Sequence, residues 1–176
     1  MKLSPIVYVA APYSDRDSAV RLQRFGQVNL LCDDLQRMGM PFISPISQSH
    51  PIGEMGHSSD TLFWAWENFS MQARCDMLLV YQLPGWEFSA GVAREVKFAK
   101  ELGQRCYYHV NDSDHYVALR QFYRKVMDEK LVGHGAKEQA VWDAWQAKLD
   151  EMNALYDTPN PALGCPGFQQ NRKDGS

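Results

Sequence analysis

The sequence predicts an α/β domain: a three-layer sandwich with a parallel sheet of four to five strands in flavodoxin- or Rossmann-like order, and two helices added at the C-terminal end. Three observations predict it. Short apolar runs of strand length alternate with longer stretches whose apolar residues recur at helical spacing. The short runs are apolar on both faces, as strands between two helical layers are. Strand, helix and strand fit within the first 45 residues, enough for one βαβ unit.

Pro5 to Ala10 is the first strand, and Ala11-Pro12-Tyr13-Ser14 a turn. Asp15 or Asp17 caps the next helix, in which Val20, Val28, Leu31, Leu35 and Met38 form a stripe that Gly39 ends. Pro41 to Ser44 reads as a short second strand. Residues 46–59 show no strong period and read as a long polar loop, a length often found in functional lids. Ser59 or Asp60 then caps a helix with Leu62, Phe63, Trp66 and Phe69 as its stripe. Trp64 and Trp66 lie two residues apart and cannot both face the core, so one of them lines a pocket, an interface or the loop. Asp76 opens the third strand, Met77 to Tyr81. The Pro84-Gly85 turn leads to a helix capped by Ser89, striped by Val92, Val96 and Ala99 and closed by Gly103. Gln104 to Val110 is the fourth strand. Helices over about 114–132 and 137–156 follow, the second carrying Trp142 and Trp145. The expected organisation is one domain over residues 1–156, with 113–156 a helical extension and 157–176 a flexible tail.

Composition narrows the function. A chain of 176 residues with a net charge of −3 and no Lys/Arg block is not expected to bind nucleic acid through a basic face. No span reaches membrane length, and the N-terminus has no signal-like pattern, so a cytoplasmic protein without a membrane partner is expected. The four cysteines show no CxxC spacing and read as reduced and packed. The five histidines form no metal-ligand pattern, so neither a metal nor another cofactor is expected. GxGxxG and Walker A patterns are absent.

In a parallel sheet, ligands bind beyond the carboxyl ends of the strands, where the strand order reverses. The turns that meet there offer Tyr8, Tyr13, Arg16, Ser44, His50, Trp86, Ser89 and Glu95. Glu95 stands about a turn and a half into its helix, and helical side chains lean towards the N-terminus. Its carboxylate therefore lies over Gly91, which covers nothing. The helix dipole is expected to favour the ionised form. Aromatics beside a carboxylate and a helix N-terminus suit a flat base attached to a sugar.

The motifs Tyr8-Val9-Ala10-Ala11-Pro12-Tyr13, Cys75-Asp76-Met77-Leu78-Leu79-Val80, Gly85-Trp86, Ser89-Ala90-Gly91-Val92 with Glu95, and Ala99 with Gly103 resemble the nucleoside 2-deoxyribosyltransferase-like family. The resemblance covers roughly residues 5 to 110, and the small phage and bacterial members are the most similar. That family also includes deoxynucleoside 5′-monophosphate N-glycosidases. The resemblance implies cleavage or transfer at the N-glycosidic bond of a nucleoside or nucleotide. Glu95 would be the nucleophile, Tyr8 its contact, Ser89 a sugar or phosphate contact, and Gly91 the floor under the ligand. It further implies a homodimer or larger homo-oligomer in which a neighbouring subunit completes the site, with Asn111 as a contributor. The family often carries an acid on the helix before the third strand. Here Asn68 stands at the matching position, with Glu67 matching only if the alignment shifts by one. A non-catalytic nucleotide-binding or sensing module is the alternative, and an assembly role for the tryptophan-bearing last helix a third reading.

Overall fold

The computed structural model describes residues 4–56, 61–131 and 147. The expected cap at Ser59 or Asp60, the helix over 137–156 and the tail over 157–176 lie outside the described residues.

Four strands, β1 (Val7–Ala10), β2 (Phe42–Ile43), β3 (Met77–Tyr81) and β4 (Arg105–His109), form one sheet in the order β2-β1-β3-β4. Every pairing is parallel. Tyr8 pairs with Ile43 on one side and Leu78 on the other. The order reverses between β1 and β3, so the chain leaves their carboxyl ends in opposite directions and opens a crevice there.

Alternation along the strands builds two cores. Val7, Val9, Met77 and Leu79 pack with Val28, Leu31 and Leu35 of α1 (Ser18–Arg37) and with Leu119 and Tyr123 of α5 (Ser113–Leu131). Tyr8, Ala10, Leu78 and Val80 face the other way, against Val92 and Ala99 of α4 (Ala90–Glu101) and Met71 of α3 (Thr61–Gln72). This is the three-layer α/β arrangement. All four of those inward strand residues are buried, so a polar atom on that face needs a protein partner or an opening to water.

The caps follow local chemistry. Asp17 accepts from the Ala19 N–H and starts α1, and Ser89 accepts from the Val92 N–H and starts α4. Gly39 and Gly103, with φ of 69° and 68°, take the left-handed conformation that ends α1 and α4. Asp76 accepts the Ile6 N–H at 2.8 Å and ties the start of β1 to β3. Beneath α3 and α4 lies a buried amide clasp. Gln72 Nε2 donates to the Glu95 carbonyl at 2.8 Å, and Gln104 Nε2 donates to the Gln72 and Cys75 carbonyls at 2.7 and 2.8 Å.

Two expectations need correction. Residues 46–59 are not one long loop, because Pro45–Gly53 is a helix, α2. Ser44 caps it, accepting from the Ser47 N–H, and Pro45 takes a first-turn position where its missing N–H costs nothing. Pro51 inside the run hid the helix, although a proline near the end of a short helix removes only one bond. Trp66 does not join the stripe of α3; it is 82 % exposed, and Trp64 faces the crevice instead.

Candidate functional site

The crevice is a cavity of about 790 Å³. Its walls come from the β1–α1 segment, the start of α1, α2, α3, the turn after β3, and the first turns of α4. Asn68 and Trp64 line it from α3, Ser89, Gly91, Arg94 and Glu95 from α4, and Tyr13 and Arg16 from the β1–α1 segment.

Glu95 occupies the α4 wall because α4 is anchored by the Ser89 cap and its apolar face packs on Leu78 and Val80. One turn earlier, Gly91 keeps the approach open. A Cβ added there would come no closer than 3.7 Å, to Ser89 Oγ, so chain packing does not demand a glycine. Gly85 is different: its φ of 87° is a left-handed value, and the turn that carries the chain past the cavity depends on it.

Tyr8 lies on the α4 side of β1, fully buried, and its hydroxyl donates to Glu95 Oε1 at 2.9 Å. The bond joins residues 87 positions apart and fixes the direction of the carboxyl group. Burial pushes the Glu95 carboxyl up from 4.5 to about 7, against the opposing pull of the Tyr8 hydrogen bond and the Arg94 guanidinium. The helix dipole favours the ionised form, but burial raises the carboxyl to about 7, so near neutrality both protonation states are populated. The Tyr8 hydroxyl is itself pushed well above the ordinary tyrosine range, by burial and then by the adjacent carboxylate, so it acts as a donor.

The expected site residues divide into two groups. Glu95, Asn68, Tyr13, Arg16, Ser89 and Gly91 line the cavity, with Tyr8 directly beneath Glu95. Ser44, His50, Trp86 and Asn111 do not. Ser44 is buried and spent on capping α2, its hydroxyl meeting Ser47 Oγ at 2.8 Å. Trp86 sits in a 3-10 turn and packs against Tyr108, ring centres 5.6 Å apart. Asn111 is exposed beyond β4, its side chain 3.1 Å from the Tyr116 hydroxyl. His50 is buried on α2, stacked on Phe25 with ring centres 4.1 Å apart, and its Nδ1 lies 2.7 Å from the Tyr13 hydroxyl. Glu67 is exposed on α3 and does not line the cavity, so Asn68 is the α3 residue that faces it.

Sequence reasoning named Arg16 but missed the arginines of α1. Arg21 donates to the Asp15 and Arg16 carbonyls, and Arg24 donates to the Tyr13 and Ser14 carbonyls while pairing with Asp15 at 3.6 Å. Together they hold the β1–α1 segment against α1 and add positive charge to the wall. A signal was present: two arginines three apart in the first turns after a capped β–α turn face back onto that turn. Phe88, 92 % exposed, is a further wall residue that was overlooked.

A family model covers residues 5–110 of this chain, from the approach to β1 through the end of β4. The chain belongs to the family described as a domain of unknown function, DUF1937. The matched stretch holds every residue of the Tyr8–Glu95 centre and both of its walls on α3 and α4. No curated protein matches the chain. Among the described residues no three His, Cys, Asp or Glu side chains gather as a metal site requires, and no helix is long and apolar enough to cross a membrane.

Proposed function

We propose that this DUF1937 member cleaves or transfers at the N-glycosidic bond of a nucleoside or nucleoside 5′-monophosphate, as its resemblance to nucleoside 2-deoxyribosyltransferase-like proteins implies. The observation that carries the reading is the Tyr8–Glu95 pair, 2.9 Å apart, on the wall of a cavity beside the N-terminus of α4. Breaking the C1′–N bond leaves positive charge on the sugar, and a carboxylate below the ring stabilises it and closes on C1′ to form an ester. Tyr8 holds Oε1, which leaves Oε2 of the ionised form for attack. Water, or a second base in a transfer reaction, then opens the ester from the opposite face, so the configuration at C1′ is retained. The Ser89 hydroxyl and the first N–H groups of α4 suit the oxygen-rich end of the substrate, and Trp64 and Asn68 its base.

In this reading the protein works in the cytoplasm as a homo-oligomer, with Phe88 and Trp66 as exposed apolar surface for a second copy. A panel of nucleosides and their 5′-monophosphates, incubated with wild type and Glu95→Ala and read by chromatography, tests the activity. Free base from the wild type alone is expected; equal release from both proteins defeats the proposal. The amide at Asn68, where an acid would assist departure of the base, favours one other reading: a pocket that binds nucleotides without turning them over. That reading expects nucleotides to raise the melting temperature while no base is released.

A further inference from the structure

The glycosidic reading leaves a proton unaccounted for. A neutral nucleobase departs readily only if a ring nitrogen is protonated as the C1′–N bond breaks. On the α3 wall Asn68 offers an amide, and Glu95 must be ionised to attack. Of the other carboxylates on the cavity, Asp15 is held by Arg24 at 3.6 Å and by the Asp17 N–H at 3.0 Å. Glu54 is exposed past the end of α2.

Tyr13 lines the same cavity, and its hydroxyl lies 2.7 Å from Nδ1 of His50. His50 is only 7 % exposed, fixed by its stack on Phe25, and it lines a second cavity of about 340 Å³ with Ser18, Ala19, Leu22 and Glu54. Glu54 borders both cavities. The imidazole thus stands between a wall residue of the main cavity and a separate opening.

We propose that Tyr13 is the acid that protonates the departing base, and that His50 supplies the proton through it from the second cavity. The proposal rests on the glycosidic reading. With His50 protonated, its Nδ1 proton passes to Tyr13 Oη while the Tyr13 hydroxyl proton passes to a ring nitrogen of the base. The electron pair of the C1′–N bond leaves with the base, which departs neutral, and Glu95 supplies the pair for the new C1′–O bond. His50 ends neutral. The water that opens the ester releases one proton, which returns to His50, so the cycle closes without another reactant. Arg21 and Glu54 are the charged groups felt by the Tyr13 hydroxyl, with opposite effects, and burial holds it above the ordinary tyrosine range.

The test separates proton supply from cavity shape. Each nucleotide cleaved in the panel is paired with an analogue whose base departs without a proton, N7-methylated for a purine and ring-halogenated for a pyrimidine. Tyr13→Phe, which keeps the ring, is expected to slow the parent nucleotide by about a hundredfold or more, the lower range of general-acid effects, and the analogue by less than about fivefold. His50→Gln, which keeps a polar side chain and cannot carry the proton, is expected to show the same selectivity, and it carries the test if Tyr13→Phe does not fold. Equal slowing of parent and analogue, or no slowing of either, overturns the proposal while leaving the glycosidic reading intact. A wild type that releases no base from any panel member overturns both.

Discussion

Among the described residues two tyrosine–carboxylate pairs bridge strand to helix or helix to helix, and they differ in what lies beside them. Tyr8 of β1 donates to Glu95 of α4 at 2.9 Å, and the carboxyl group borders a cavity. Tyr116 of α5 donates to Asp34 of α1 at 2.6 Å on the opposite face of the sheet, and neither residue lines either cavity described above. One ring packs on the second pair instead. His109 meets Tyr116 edge-on at 4.6 Å, and both of its ring nitrogens lack a hydrogen-bond partner among the described residues. Burial, and then the neighbouring His115, lower the His109 pKa to about 4, so it stays neutral and packs as an aromatic. Both members of the second pair are half-buried, so what separates the two is not enclosure but the cavity: in the proposed reading the unit is a brace where no cavity adjoins it and a reactive group where one does. Access, more than the pair itself, makes the difference.

Exchanging carboxylates gives the largest test. Glu95→Ala is expected to lower base release at least about a thousandfold, as loss of a nucleophile does, whereas Asp34→Ala changes it by less than about threefold. Comparable losses in the two variants, measured by single-turnover kinetics, would break the contrast. Tyr8→Phe comes next, with turnover reduced by about ten- to a hundredfold. Because the Tyr8 hydrogen bond lowers the Glu95 pKa, its loss should carry the rising limb of the pH–rate profile above pH 7, and a limb that moves to lower pH contradicts the assignment.

Stability gives a smaller effect with a definite sign. The Glu95 carboxyl titrates near 7 when folded and near 4.5 when it is not, so the folded chain binds the extra proton between those values. Its contribution is fully present below pH 4.5 and is lost as the pH rises through 7. Glu95→Gln keeps the shape without the charge, and at pH 8 it should unfold with a free energy on the order of 2–3 kcal/mol above wild type. At pH 4 the gain should vanish, and denaturant titrations at the two pH values check both points. Tyr116→Phe is the smallest effect expected: about 1–2 kcal/mol of stability lost with its hydrogen bond, and turnover unchanged. If Tyr116→Phe impairs turnover more than Tyr8→Phe does, the two pairs have been assigned the wrong way round.

Much of this was legible in the sequence, and the limits have physical causes. Ser89, Asp17, Gly39 and Gly103 act within a few residues of themselves, and each sits at the helix end that its chemistry predicts. The parallel sheet followed from apolar runs alternating with helical stripes. Glu95 was found from its spacing to Ser89 and Gly91, because three positions on one helix share a geometry that the sequence states directly. Ser44 and His50 were misplaced for one reason: α2 was read as loop, so a capping serine and a packed histidine both looked like ligand contacts. Trp86 was misplaced because its partner, Tyr108, comes from a strand more than twenty residues later. The three-residue spacing of Arg21 and Arg24 puts both on one face of α1, whereas the 3.6 Å reach of Arg24 to Asp15 depends on how the turn folds back over that helix.

The Gln72–Gln104 clasp bears on how this cavity can be reshaped. It locks the helix carrying Asn68 and Trp64 to the helix carrying Glu95 through main-chain atoms, so exchanging the exposed side chains leaves that lock in place. In the proposed reading the clasp therefore sets the spacing between the base-side and sugar-side walls of this chain. Trp64, Asn68 and Phe88 line the gap without taking part in the clasp, so a protein engineer altering what the cavity accepts would begin with those three positions.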